Sequence, residues 1–221
     1  MFQKSLIGIF IVLCSFSANA HEVWLERDQT GTARVYLGEP GQPDSGDKIA
    51  NLKDAQVFTD NRNDVATLTQ NNDHWEANVT GEGDVRLFTD KVWLPWSVES
   101  VSWWEFWKDE KLKGAIFQAR TGRSETSAKL TYELVPVTQN GHVFTAMFKG
   151  KPLTGQHIML VTPSNKEVEL ITDEKGQISV PLTEKGQFLL SSEHTIETNA
   201  MHSGIKVASL MYITSLTFVN E

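Results

Sequence analysis

Hydrophobic and polar residues alternate along most of this chain, which is the pattern of half-buried β-strands. Turns rich in Gly, Pro, Asn and Asp separate the alternating segments. In the first half the predicted strands are 21–26, 33–37, 55–59, 65–69, 74–79 and 85–89. In the second half they are 130–137, 143–148, 158–162, 168–172, 178–182, 188–192 and 207–219. A helix is predicted only at 100–113.

The close spacing of these strands leaves no room for crossover helices and therefore favours antiparallel pairing in sandwiches. Residues 120–127 include no apolar side chain, so we place a domain boundary there. The prediction is an all-β fold of two β-sandwich domains, an N-terminal one at 21–122 and an immunoglobulin-like one at 123–221.

The first 20 residues have the features of a secretory signal peptide. Lys4 precedes an apolar run at 6–13, and Ala18 and Ala20 form the small-residue pair that signal peptidase requires. The run is too short to span a bilayer. We therefore expect residues 1–20 to be cleaved, His21 to become the first residue, and the mature chain to reside in the periplasm without direct membrane insertion.

Composition excludes several function classes. The formal net charge is −8 and no Lys/Arg cluster is present, which argues against nucleic acid or anionic lipid as a partner. The single cysteine, Cys14, lies inside the predicted signal peptide, so thiolate metal sites are excluded from the mature chain. Sequence motifs for hydrolases, phosphate-binding loops and dinucleotide binding are all missing. We predict that the protein is not an enzyme.

An N-terminal histidine offers two nitrogen donors, its α-amine and its imidazole Nδ1, which can close a chelate ring on a transition metal. A second histidine would complete a three-nitrogen site of the kind that copper accepts. The predicted ligands are His21, His194 and His202, the last two in a predicted loop at 193–204. The alternatives are a hydrogen-bonded structural role for His194 and a solvated side chain for His202.

Five of the seven tryptophans lie between Trp93 and Trp107. Indole rings in such a cluster can stack on sugars or bind a protein partner. They can equally cover the seam between two domains. Both interpretations of this Trp-rich segment remain open.

Several segments resemble a family of bacterial envelope proteins, a domain family of unknown function related to the NikM component of nickel and cobalt uptake. They include the start at 21–26 and the segments 36–39, 119–123, 150–155, 172–176 and 212–218. The middle segments also resemble carboxypeptidase-regulatory modules. The resemblance implies a two-part β protein of metal uptake or handling, with His21 and His194 as ligands.

The sequence thus predicts a periplasmic protein that binds copper or nickel/cobalt and serves an envelope metal transporter. One alternative is a non-catalytic carbohydrate- or protein-binding module that uses the Trp-rich segment. Another is oxidative copper chemistry on polysaccharide, because an N-terminal histidine chelate can also activate oxygen.

Overall fold

The structure is a computed structural model, and it describes residues 21–97 and 111–221. The predicted signal peptide lies outside these residues, as does the Trp-rich segment beyond Ser97. Most of the predicted helix at 100–113 is outside them too. Its last two residues, Leu112 and Lys113, begin a β-strand, so the helix prediction is wrong at that end.

Strands make up 54% of the chain and helix 5%, which confirms the all-β prediction. The strands before residue 122 are β1 (Glu22–Arg27), β2 (Thr32–Glu39), β3 (Gln42–Pro43), β4 (Gln56–Phe58), β5 (Leu68–Gln70), β6 (Trp75–Asn78), β7 (Val85–Thr89), β8 (Trp96–Ser97) and β9 (Leu112–Thr121). Those after it are β10 (Tyr132–Pro136), β11 (Val143–Phe148), β12 (Lys151–Pro152), β13 (His157–Val161), β14 (Glu167–Ile171), β15 (Gln177–Ser179), β16 (Gly186–His202) and β17 (Ile205–Asn220). A 3₁₀ helix spans Gly46–Asp54.

The strands form three sheets. The N-terminal sheet has the order β1-β2-β6-β5, with β3 paired to β2. The central sheet has the order β14-β13-β16-β17-β9-β7-β4, with β8 paired to β9. The C-terminal sheet has the order β10-β11-β12, with β15 paired to β11. No helix in the described ranges is long and apolar enough to cross a membrane.

The central sheet contains strands from both sides of the predicted domain boundary. Its two halves join where β17 pairs with β9, with Ser209 opposite Lys113 and Thr217 opposite Thr121. That pair is parallel, so the expectation of purely antiparallel pairing is wrong here. The division into two sandwich domains stays a prediction, and the structure adds that one sheet runs across it.

Strand β17 separates two hydrophobic cores. Met211 and Ile213 belong to the core shared with the N-terminal sheet. Tyr212 and Leu216, which point the other way, belong to the core shared with the C-terminal sheet. Because successive side chains of a strand point to opposite faces, a strand between two cores must be apolar on both. This explains the unbroken apolar run from Leu210 to Ile213 in β17.

Strand β1 is the edge of the N-terminal sheet and rests on β17. The Ser215 hydroxyl donates a hydrogen bond to the Val23 carbonyl at 2.7 Å, and the Thr217 hydroxyl donates to the Leu25 carbonyl. These bonds satisfy backbone groups that an edge strand would otherwise leave unpaired. Trp24, on the other face of β1, packs against Val161 and Leu189.

The segment 193–204, predicted to be a loop, is a long hairpin. Strand β16 continues to His202, and β17 begins at Ile205. The turn uses positive φ angles at Ser203 (49°) and Gly204 (77°). The loop prediction is therefore wrong. This part of the hairpin is largely exposed, so its sequence is as polar as that of a loop.

A buried charge network joins β7, β9 and β10. Arg86 Nε donates to Glu133 Oε1 at 2.8 Å, and Arg120 Nη1 donates to the same oxygen at 2.9 Å. Arg120 also pairs with Asp84. All four side chains are almost completely buried. Arg86 also pairs with the partly exposed Glu125 at 2.7 Å, so three carboxylates surround two buried cations at the seam between the two halves of the chain.

Candidate functional site

The His21 imidazole is held by a carboxylate. Its Nε2 lies 3.1 Å from Asp44 Oδ2, and the exposed fractions are 47% for the His21 side chain and 14% for that of Asp44. Asp44 is itself fixed, since its backbone N–H donates to the Leu37 carbonyl at 2.8 Å and its Oδ1 accepts from Lys48 at 3.1 Å. The carboxylate is thus placed by the fold, and the ring at the end of β1 is oriented by it.

Gly38 makes this placement possible. Its φ is +140°, and a Cβ built there would lie 2.8 Å from the Asp44 nitrogen and 2.9 Å from the Gln42 carbonyl oxygen. Only a residue without a side chain permits so close an approach. Gly38 is also the ladder partner of Glu22, so the tight β2–β3 turn brings Asp44 back beside the start of β1.

The contact with Asp44 determines which imidazole nitrogen is free. A carboxylate only accepts hydrogen bonds, so Nε2 carries the proton in neutral His21. The lone pair is then on Nδ1, on the side of the ring nearer the main-chain nitrogen of the same residue. A carboxylate on the far nitrogen of a metal-binding histidine is the usual arrangement that orients such ligands. The geometry fits the proposed chelate.

Glu22, the next residue, carries a perturbed carboxyl. Its Oε1 accepts a hydrogen bond from the Ser191 hydroxyl at 2.5 Å. Its Oε2 is buried and has no hydrogen-bond partner in the described part of the chain. Burial raises the pKa of Glu22 to about 7, although the Ser191 bond works in the opposite direction. Glu22 can therefore carry a proton near neutral pH.

His194 lies on the other face of the central sheet from β1. Ser191, which faces β1, contacts Glu22, whereas His194 contacts the C-terminal sheet. Its ring centroid is 4.7 Å from that of Phe148 and 6.2 Å from that of Tyr132. Burial and the nearby Lys149 lower the pKa of His194. The sheet itself therefore separates His194 from His21, and the structure does not bring the two together.

His202 is at the far end of the β16–β17 hairpin. It is 4% exposed, so the solvated alternative is wrong. Burial lowers its pKa, and its Nε2 has no partner among the residues that the structure describes. Gly114 makes room for the ring, because a Cβ there would lie 2.7 Å from His202 Cδ2. Across 21–97 and 111–221, no group of three or more His, Cys, Asp or Glu residues could hold a metal ion.

Two tryptophans of the Trp-rich segment lie within the described residues, and both pack against the core shared with the N-terminal sheet. Trp93 makes edge contacts with Trp96 at 5.8 Å and with Phe117 at 4.8 Å. These two rings therefore contribute to packing. Trp103, Trp104 and Trp107 lie outside the described residues.

Sequence reasoning identified His21 but missed Asp44. From the sequence alone, Glu22, Glu26 and Glu39 are possible carboxylate partners of the imidazole, and 38–46 is only a polar loop rich in Gly and Pro. The sequence does signal a tight turn after Gly38, because the following Glu-Pro-Gly-Gln-Pro sends the chain back toward the preceding strand. Which strand end it meets depends on sheet order, which the sequence does not contain.

Comparison with protein-family models, curated proteins and solved structures gives no match to this chain.

Proposed function

We propose that this protein binds a transition-metal ion, copper or nickel/cobalt, as cargo at the α-amine and Nδ1 of His21. It would act in the periplasm after signal-peptide cleavage, without catalysis, as a protein of two β-sandwich domains. The observation that carries the proposal is the 3.1 Å contact between His21 Nε2 and Asp44, which leaves Nδ1 free beside the main-chain nitrogen.

Exposure of the site supports exchange of the ion. The His21 side chain is 47% exposed, so an ion held there can be reached from solvent. Nitrogen donors without a thiolate suit copper and nickel, and the hydrogen-bonded carboxylate increases the basicity of the ring. The remaining coordination positions are open to water or to a partner. This favours delivery to an envelope transporter over permanent storage.

His194 and His202 stay predicted ligands, but each would have to act apart from His21. His194 packs among aromatic rings on the opposite face of the central sheet. His202 is buried at the hairpin tip. A two-nitrogen chelate at His21, with Asp44 behind the ring, is therefore the smallest site that supports the function.

The resemblance of the start at 21–26 to envelope proteins related to NikM points to the same class of cargo. The Gly38 turn that presents Asp44 falls in another of the segments that carry that resemblance. The sugar- or protein-binding alternative draws less support, because Trp93 and Trp96 pack against the core.

Calorimetric titration of untagged protein beginning at His21 tests the proposal with Cu(II) and Ni(II). We expect His21→Ala to abolish tight binding. Asp44→Asn should weaken it by roughly 10- to 100-fold, the usual effect of removing a carboxylate that orients a ligand. The matched control is His157→Ala, which removes another exposed histidine paired with a carboxylate, since His157 Nδ1 lies 2.7 Å from Glu169.

Equal affinity in wild type and His21→Ala would refute the proposal. So would a loss of binding in His157→Ala as large as that in His21→Ala, because it would place the ion elsewhere. Normal binding by Asp44→Asn would show that Asp44 does not help His21 to hold the ion.

A further inference from the structure

A second site is suggested by a pocket of about 590 Å³ at the opposite end of β1 from His21. It lies where the end of β1, the segment after β9 and the end of β17 meet, and Arg27 and Arg123 both line it. Asn140 and Gln187 add amide groups to its wall. The pocket is therefore lined mainly by hydrogen-bond donors and cations.

Neither arginine has a carboxylate partner within the described residues. Arg27 donates to the carbonyls of Gly83 at 2.9 Å and Gly81 at 2.7 Å. Arg123 donates to the Gly141 carbonyl at 3.1 Å, and its guanidinium lies 4.6 Å from the centre of the Phe218 ring. Carbonyls and a ring position these groups without cancelling their charge. Burial lowers the pKa of Arg123, and no nearby anion offsets that effect.

The two acidic residues of the pocket wall, Asp84 and Glu221, form no ion pair with Arg27 or Arg123 within the described residues. Asp84 is 2% exposed and paired with Arg120. Its Oδ1 accepts hydrogen bonds from the Ser124 N–H at 2.9 Å and the Ser124 hydroxyl at 2.7 Å. The other acidic lining residue, Glu221, is exposed at the last position of the chain. Two arginines that form no ion pair within the described residues line one pocket, in a chain of net charge −8.

We propose that this pocket binds a small oxyanion ligand, through a carboxylate or phosphate group held by Arg123 and Arg27. A guanidinium offers a planar fork of donors that matches both groups. Contact with the Phe218 ring and the bond to the Gly141 carbonyl hold the Arg123 guanidinium before the ligand arrives, which reduces the entropy lost on binding.

The segment 119–123 connects the buried charge network to this pocket. Arg120 is part of the buried network, and Arg123 reaches the pocket. Between them, Gly122 has a φ of +103°, and a side chain there would collide with the Asp84 carboxylate. The glycine lets the chain pass close to Asp84, with Arg120 in the buried network on one side of it in the sequence and Arg123 in the pocket wall on the other.

Calorimetry on metal-free protein at low ionic strength tests the site, with inorganic phosphate and succinate as separate probes. We expect binding of at least one probe, and the stronger of the two identifies the oxyanion class. Arg123→Gln should reduce that affinity at least tenfold. Asn140→Asp, which adds a negative charge at the pocket rim, should reduce it as well without removing an arginine.

The matched control is Arg62→Gln. Arg62 also has its guanidinium over an aromatic ring, 3.4 Å from the centre of Phe88, but it is not part of the pocket. It should bind the probes as the wild type does. The proposal is overturned if neither probe binds the wild type, or if Arg123→Gln and Asn140→Asp, both folded by circular dichroism, bind as well as Arg62→Gln does. His21→Ala should not affect this binding, which separates the site from the metal proposal.

Discussion

The fold buries the carboxyl group of Glu22, at the candidate site, in surroundings that disfavour its ionised form. Its carboxyl is buried beside the Ser191 hydroxyl, with one oxygen unpartnered in the described structure. An ionised carboxylate in that position lacks the hydrogen bonds that water would supply. The site next to His21 therefore carries a local cost in stability.

That cost predicts a pH dependence. The pKa of Glu22 is raised from 4.5 to about 7 in the folded protein, so the unfolded chain loses this proton first. Stability should therefore fall as pH rises from 4.5 to about 7, and stay at the lower value above that range. Glu22→Gln cannot ionise and should remove this part of the dependence.

Urea unfolding in the presence of a chelator measures the effect. At pH 8 Glu22→Gln should be more stable than wild type by up to about 3 kcal/mol, and at pH 4 the two should be nearly equal. The control is Glu82→Gln, because Glu82 is exposed. A Glu22→Gln variant that is less stable than wild type at pH 8 would show that the ionised carboxylate is favoured by the fold.

At the scale of elements, local patterns located most strands. The predicted 85–89 and 143–148 coincide with β7 and β11. Strand β9 was missed, because it contains Lys113, Gly114, Gln118 and Arg120 where a core strand usually has apolar residues. Polar side chains of β9 form hydrogen bonds with residues outside this strand. The N–H of Tyr132, for example, donates to Gln118 at 2.8 Å.

The candidate site was less accessible to prediction than the strands. The sequence places His21 at the start of the first predicted strand, and in the structure it directly precedes β1. The distance between two histidines, however, depends on which face of which strand each occupies. His194 lies on the same face of β16 as Phe188 and Leu190. That face turned out to be the one opposite β1, and only the order of strands in the central sheet determines this.

In the whole molecule, buried ion pairs connect the two halves of the chain, and Glu133 is at their centre. Glu133 Oε1 accepts from Arg86 and Arg120, and its Oε2 accepts from the N–H groups of Lys129 at 2.6 Å and Leu130 at 2.9 Å. Each oxygen therefore has two donors, and the side chain is 0% exposed. Removal of its charge takes one of two carboxylate partners from each buried guanidinium, leaving Arg86 with Glu125 and Arg120 with Asp84.

We expect Glu133→Gln to lower the free energy of unfolding by about 3–5 kcal/mol, the typical cost of breaking a buried pair. Chemical denaturation followed by tryptophan fluorescence measures it. Glu174→Gln, at an exposed turn, should change stability by less than about 0.5 kcal/mol. Similar small changes in both variants would mean that the network contributes little, and that the shared sheet alone joins the two halves.

Intact mass spectrometry of the exported protein shows whether the chain begins at His21 and whether that N-terminus holds an ion. Spectra are recorded under native conditions with and without added Cu(II) or Ni(II). We expect the measured mass to correspond to a chain that begins at His21 and to increase by one tightly held ion. The mass of His21→Ala should not increase in this way. A chain that begins at another residue, or one that begins at His21 and gains no ion, would contradict it.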